Sequence, residues 1–230
     1  MRSPETTSSD QELLLERLRP LIDDTIERLR YTTFREDPIA GRKYSRATSI
    51  ISSAYKRHGQ ILERALLERL KDCARLQVWR EDDFKLSHES LTELRIHGWI
   101  EKCLQIQLQY GERERAIPVD MLVFDIETGV LTSYNVKRGN GAYDAGKRRI
   151  ILEDLLRTHM LLFDYGRKTG RSPAAAHAHI IFYYGVRSIP EPLSIIGDQL
   201  DAHFGFPVVE AVEYVNNYFR RCLHALIEEE

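Results

Sequence analysis

The chain is short of most features that would place it in a specialised class. Three cysteines, Cys73, Cys103 and Cys222, lie far apart among 230 residues. Their odd number and wide spacing argue against a disulfide framework or a zinc knuckle, and they fit a reducing cytoplasm, the expected location. No apolar run approaches the ~20 residues that cross a bilayer. The opening "MRSPETTSSD" is polar throughout, unlike a signal peptide, so no membrane partner is expected. Net charge is scarce too: 33 basic against 35 acidic residues leave −2, and the total announces no polyanionic partner. No internal repeat is apparent. What remains is an ordinary globular composition, 43% hydrophobic and 30% charged, long enough to bury a core.

The balanced total conceals a local bias. Between Lys137 and Arg171 nine basic residues face four acidic ones, while Glu228, Glu229 and Glu230 offset the excess at the other end. A basic face of this kind can hold phosphates whatever the net charge.

Periodicity divides the chain into elements. Residues 1–10 read as a disordered tail, ending where Ser9 and Glu12 have capping-box spacing. "QELLLERLRPLIDDTIERLR" is helical, with Pro20 expected to bend it or split it in two. Residues 31–45, with Pro38 and Gly41, read as a loop, so 11–45 form a helical N-terminal extension. The remainder, 46–230, is expected to be one α/β domain. It opens with a long helical region through Gly59, followed by a short apolar piece near "LQVWR" and a helix at 88–95. "AIPVDMLVFDIE" and "LTSYNVKRG" read as two strands of a hairpin turning at Glu127-Thr128-Gly129. A helix over 145–168, a strand over 176–185 and two helices in "SIIGDQLDAHFG" and "VVEAVEYVNNYFRRCLHALIEEE" complete the series. The expected class is an α/β sheet flanked by helices, with an antiparallel hairpin at its centre.

The hairpin carries the chemistry. Asn135 and Lys137 are two apart on one strand and so share a face, and a short hairpin brings Asp120 beside them. An acid and a lysine placed so can hold a cation and polarise a water. On the preceding helix Glu63 stands in line with Leu66, Leu67 and Leu70, whereas Glu68 neighbours Arg64, Lys71 and Asp72 and belongs to the wet face.

"PVDMLVFDIETGVLTSYNVKRG" resembles the central hairpin of the PD-(D/E)XK nuclease superfamily, which includes many type II restriction endonucleases. Pro118-Val119-Asp120 matches its Pro-Asp element and, after fourteen residues, Asn135-Val136-Lys137 matches (D/E)XK. "HGQILERALLERL", with Gly59 and Glu63, is similar to the helix preceding the core in those proteins. The likeness covers roughly residues 55–185. It implies a restriction-endonuclease-like mixed sheet, hydrolysis of DNA phosphodiesters, Mg²⁺ (or Mn²⁺) as cofactor, and a homodimer that cuts both strands. It assigns Asp120 to the metal, the Val136 carbonyl to the same shell, Glu63 to the metal or its water, and Lys137 to the attacking water. Arg138, Lys147, Arg148 and Arg149 would contact the DNA backbone. Asn135 departs from the pattern, offering a neutral oxygen where the family has a carboxylate. The missing charge must then come from elsewhere, with Glu63 the first candidate and Glu153 the second, or the protein binds DNA or another protein without cutting. A nuclease of single-stranded DNA or RNA is a further alternative.

Each residue also has a plainer reading. Lys137 could guard an edge strand, Asp120 could be a hydrogen-bonded acid at a strand start, and Glu63 could pair with Arg64. Glu153 lies one turn from both Arg149 and Arg157, which suits a structural ladder. Asp125 points to the other strand face, and His177 with His179 lacks a third ligand at any recognisable spacing.

Overall fold

A computed structural model describes residues 7–98 and 100–229. The chain divides into two compact units: Leu70–Leu200, and a second made of Met1–Arg69 with Asp201–Glu230. The helical unit therefore takes in more than the expected extension at 11–45. It holds α1 (Ser8–Arg30), most of α2 (Gly41–Leu70), most of α6 (Leu200–Phe204) and α7 (Val209–Glu228). Residues 1–6, expected as a tail, lie outside the described residues.

The helix cap sits two residues earlier than expected. Thr7 Oγ1 accepts from Asp10 N–H and Asp10 accepts from Thr7 N–H, so Thr7 and Asp10 form the capping box. Helix α1 runs unbroken through Pro20, because Leu14, Leu15, Leu18, Ile22 and Leu29 keep one buried stripe in register on both sides of it. Residues 41–45, expected as loop, are already the first turn of α2. Glu68, expected on the wet face, is not there. Its side chain is only 12% exposed, held by Arg64 at 3.0 Å and Arg17 at 3.8 Å.

The other unit is a five-stranded mixed sheet with strand order β1-β2-β3-β4-β5. The strands are β1 (Leu76–Leu86), β2 (Arg115–Asp125), β3 (Val130–Lys137), β4 (Ala175–Phe182) and β5 (Ser194–Ile196). β1, β2 and β3 are successively antiparallel, whereas β3, β4 and β5 run parallel. The mixed α/β class and the hairpin at the sheet centre are as expected. Two strands are not. β1 continues through the acidic run Glu81-Asp82-Asp83 with two register shifts, and Ser194–Ile196, expected as helix, pairs with β4 as an edge strand.

Helices α3 (His88–His97) and α4 (Ile100–Cys103) precede β2, and α5 (Ala145–Lys168) connects β3 to β4. α5 packs on one sheet face through two clusters. Leu161, Leu162 and Tyr165 meet Leu122 and Leu131, while Leu155 and Leu156 meet Ala178, Ile180 and Phe182. No helix among the described residues is long and apolar enough to cross a membrane, and all three cysteines are free thiols.

Candidate active site at the mouth of the hairpin

The hairpin turn is built by Asp125. Its Oδ1 accepts from Glu127 N–H at 3.0 Å and Thr128 N–H at 3.2 Å, and Gly129 closes the turn at φ +69°. Oδ2 pairs with Arg75 at 3.3 Å, so Asp125 is committed to structure. From this turn the ladder runs from Asp125↔Val130 to Met121↔Tyr134. There it stops, and the next residues on the two strands are Asp120 and Asn135.

Past that point a side chain replaces the ladder. Asp120 Oδ2 accepts from Val136 N–H at 2.8 Å and lies 3.4 Å from Lys137 Nζ. The Asp120 side chain is 12% exposed and that of Lys137 30%, so the pair is partly open to solvent where the ladder ends. Among the described residues, no donor reaches Asp120 Oδ1. The N–H and C=O of one strand residue point to the same edge, so the Val136 carbonyl is directed towards β2 where the pairing has ended. Asp120 Oδ1 and the Val136 carbonyl thus lie on the same side of the ended ladder, one of them charged. Asn135 is half-buried and shares the Lys137 face, and it makes no hydrogen bond to either partner among the described residues.

The remainder of the strand is pinned. β4 flanks β3 on its other side, with Asn135 opposite Ile180 and Lys137 opposite Phe182. Lys137 is therefore on a central strand, which removes the edge-guarding explanation. Beyond β3, the carbonyls of Lys137, Arg138 and Gly139 accept from Tyr183, Tyr184 and Val186 N–H at 3.0, 2.7 and 2.8 Å. A Cβ on Gly139 would lie 2.8 Å from Phe182 Cβ, so only glycine lets the loop leave the strand this closely.

β3 and β4 run parallel, so α5 must begin at the end of the sheet where β3 finishes. Asp144 caps it, its Oδ1 accepting from Lys147 N–H at 2.9 Å. Those backbone bonds hold the Asp144 carboxyl below its ordinary range. Lys147 lies over the Tyr143 ring at 4.0 Å and Arg138 over Tyr184 at 5.7 Å, while Arg148 and Arg149 are exposed. The expected phosphate contacts thus share the opening's end of the sheet.

No protein-family model, curated protein or solved structure matches the chain. The site is described by its own geometry. Glu63 lies on α2 in the helical unit, half-buried, whereas Asp120, Asn135, Val136 and Lys137 belong to the sheet unit. Glu153 is occupied by Arg157 at 3.4 Å and Arg115 at 3.9 Å. His177 and His179 have ring centroids 6.2 Å apart, and the described residues contain no cluster of three metal-ligating side chains.

Sequence reasoning missed the Val136 N–H as the group that orients Asp120. No side-chain pattern signals a backbone donor, and only the end of the ladder shows it. Arg157, expected only beside Glu153, reaches further: 1% exposed, it donates to Ser90 Oγ at 3.0 Å and the Ser87 carbonyl at 2.9 Å and pairs with Glu114 as well as Glu153. This hub ties α5 to α3 and to the start of β2.

Proposed function

We propose that the protein hydrolyses DNA phosphodiesters with the help of Mg²⁺ or Mn²⁺, on a restriction-endonuclease-like core and as a homodimer. The supporting observation is the Asp120–Lys137 pair at 3.4 Å on a sheet whose ladder opens there. Mg²⁺ binds through one or two carboxylates, keeps several waters and shares substrate phosphates, and Asp120 Oδ1 with the Val136 carbonyl fits that minimal protein share. When bound, the ion would supply charge to polarise the phosphate. Asp120 would hold it, with Val136 N–H fixing the carboxylate rotamer. Lys137 would orient the attacking water and offset charge developing on the phosphoryl oxygens. Arg138, Lys147, Arg148 and Arg149 would hold the strand by its backbone, which positions without reading sequence.

The single carboxylate supports a second reading, in which the fold binds DNA without cutting it. Incubating plasmid and linear DNA with Mg²⁺ or Mn²⁺ separates the two. The wild type is expected to cut, and Lys137→Ala to lose about 100-fold or more of the rate. Equal rates for the two proteins sink the hydrolytic mechanism, and retention of DNA without cleavage by either selects the second reading.

A further inference from the structure

Helix α2 changes character along its length. Its C-terminal half buries Ile61, Leu62, Ala65, Leu66, Leu67 and Leu70, whereas from Gly41 to Arg57 only Ser45, Ile50 and Ala54 are buried. Along that thinly packed half, Arg42, Arg46, Ser49, Ser53 and Arg57 recur at i, i+4, i+7, i+11 and i+15. This spacing draws one stripe along the helix, exposed at Arg42 and half-buried at Arg46, Ser49, Ser53 and Arg57, with Lys43 and Lys56 beside its two ends. No acidic residue occurs from Pro38 to Leu62, although acids make up 35 of the 230 residues.

Nothing among the described residues of the unit neutralises the stripe. Ion pairs of the unit include those between Arg17 and Glu68, Arg28 and Asp24, Arg30 and both Glu27 and Glu229, Arg64 and Glu68, and Arg69 and Asp10. Among the described residues none engages Arg42, Arg46, Lys56 or Arg57. Arg42 and Arg46 also crowd the positive end of the helix dipole, a placement that an external anion relieves.

The stripe is held ready by the turn before it. Asp37 Oδ1 accepts from Ile39 and Ala40 N–H, both at 2.9 Å, and Asp37 N–H donates to Ser45 Oγ at 2.9 Å. A membrane-surface helix would set an apolar face against its charges. Here the most exposed face of this half carries Tyr44, Thr48, Ser52 and Tyr55, a hydroxyl-bearing surface and not an apolar one. Tyr44 and Tyr55 are eleven residues apart, about 16 Å along the axis, which is too far to stack successive bases as single-strand binders do. A straight, rigid stripe about 22 Å long suits a stiff polyanion.

We propose that the N-terminal half of α2 lies along the phosphate backbone of double-stranded nucleic acid. This surface uses neither Asp120 nor Lys137 and holds whether or not the hairpin site cuts. The test is fluorescence anisotropy of the full-length protein in EDTA, with a labelled duplex of about 20 base pairs titrated across salt concentrations. Arg42→Glu/Arg46→Glu/Arg57→Glu is expected to bind on the order of 10- to 100-fold more weakly, with the salt slope reduced by about three, one for each phosphate no longer held. The matching triple Arg→Lys variant restores both. EDTA removes the metal chemistry, so the binding result stands apart from whether the hairpin site cuts, which the cleavage assay in Mg²⁺ or Mn²⁺ reports separately. Should the charge-reversed triple fail to fold, Arg42→Gln alone is expected to lower the slope by about one. Unchanged affinity and slope in the triple overturn the proposal. So does tighter binding to a single strand of the same length, or binding confined to anionic lipid vesicles.

Discussion

At the residue scale, the decisive feature is a carboxylate whose rotamer is set by main chain. Asp120 receives the Val136 N–H at 2.8 Å, so its second oxygen stays open even when Lys137 swings away. Asp120 and Lys137 were legible in the sequence because two-residue alternation and the hairpin turn bring them together. The direction of the Val136 carbonyl and the reach of Arg115 to Glu153 were not, since ladder endings and long-range ion pairs leave no local pattern, whereas the i,i+4 pair of Glu153 with Arg157 was. Asn135 tests how much charge the site needs. Asn135→Asp is expected to tighten Mg²⁺ or Mn²⁺ binding about tenfold or more in isothermal titration, by adding a carboxylate beside Asp120. Unchanged affinity would mean that residue 135 does not face the ion. Arg157 offers a stability test. Its truncation to Ala is expected to lower unfolding free energy by about 3 kcal/mol, from lost packing and the unpaired Ser87 carbonyl and Glu114. Arg157→Met, which keeps the volume, should cost less in a urea titration.

At the element scale, helix α5 was read from the sequence with the bounds it has, because its helical period runs unbroken over 145–168. β1 was only half visible. Glu81, Asp82 and Asp83 break the alternation, yet at an edge strand such charges are tolerated and deter foreign pairing. β5 resembled a helix start because a three-residue strand with two apolar residues carries no period of its own. The packing of α5 also carries a pH signature. His159 is buried on it and bonds the Leu104 carbonyl at 3.1 Å through Nε2. Burial, aided by His177 nearby, pushes its pKa below the ordinary histidine value. The folded protein therefore binds this proton less readily than the unfolded chain. The contribution is complete above about pH 6.5 and is lost as pH falls towards the lowered folded value. Urea midpoints should drop between neutral and mildly acidic pH in the wild type, and drop less in His159→Gln. An equal drop in both proteins would remove His159 as the cause.

For the whole molecule, the sequence suggested an N-terminal appendage followed by one domain, while the chain forms a sheet unit from Leu70 to Leu200 set between the two parts of a helical unit. Helical periodicity reveals each helix but not its partner, so nothing local joined α1 to α7. They pack together, with Tyr214 bonded to Glu12 and Tyr218 to Asp23 at 2.8 Å. The sheet unit has its own core and hub, and a fragment spanning 70–200 is expected to unfold cooperatively in circular dichroism. A gradual, non-cooperative melt would show that it depends on the helices. The same arrangement sets an order of events on the ribosome. The sheet unit is complete before α7 has been made, and α1 cannot pack against α7 until then. At ~5–20 residues per second, that interval lasts roughly ten to forty seconds, during which a leucine-rich helix is offered to the chaperones of the cell.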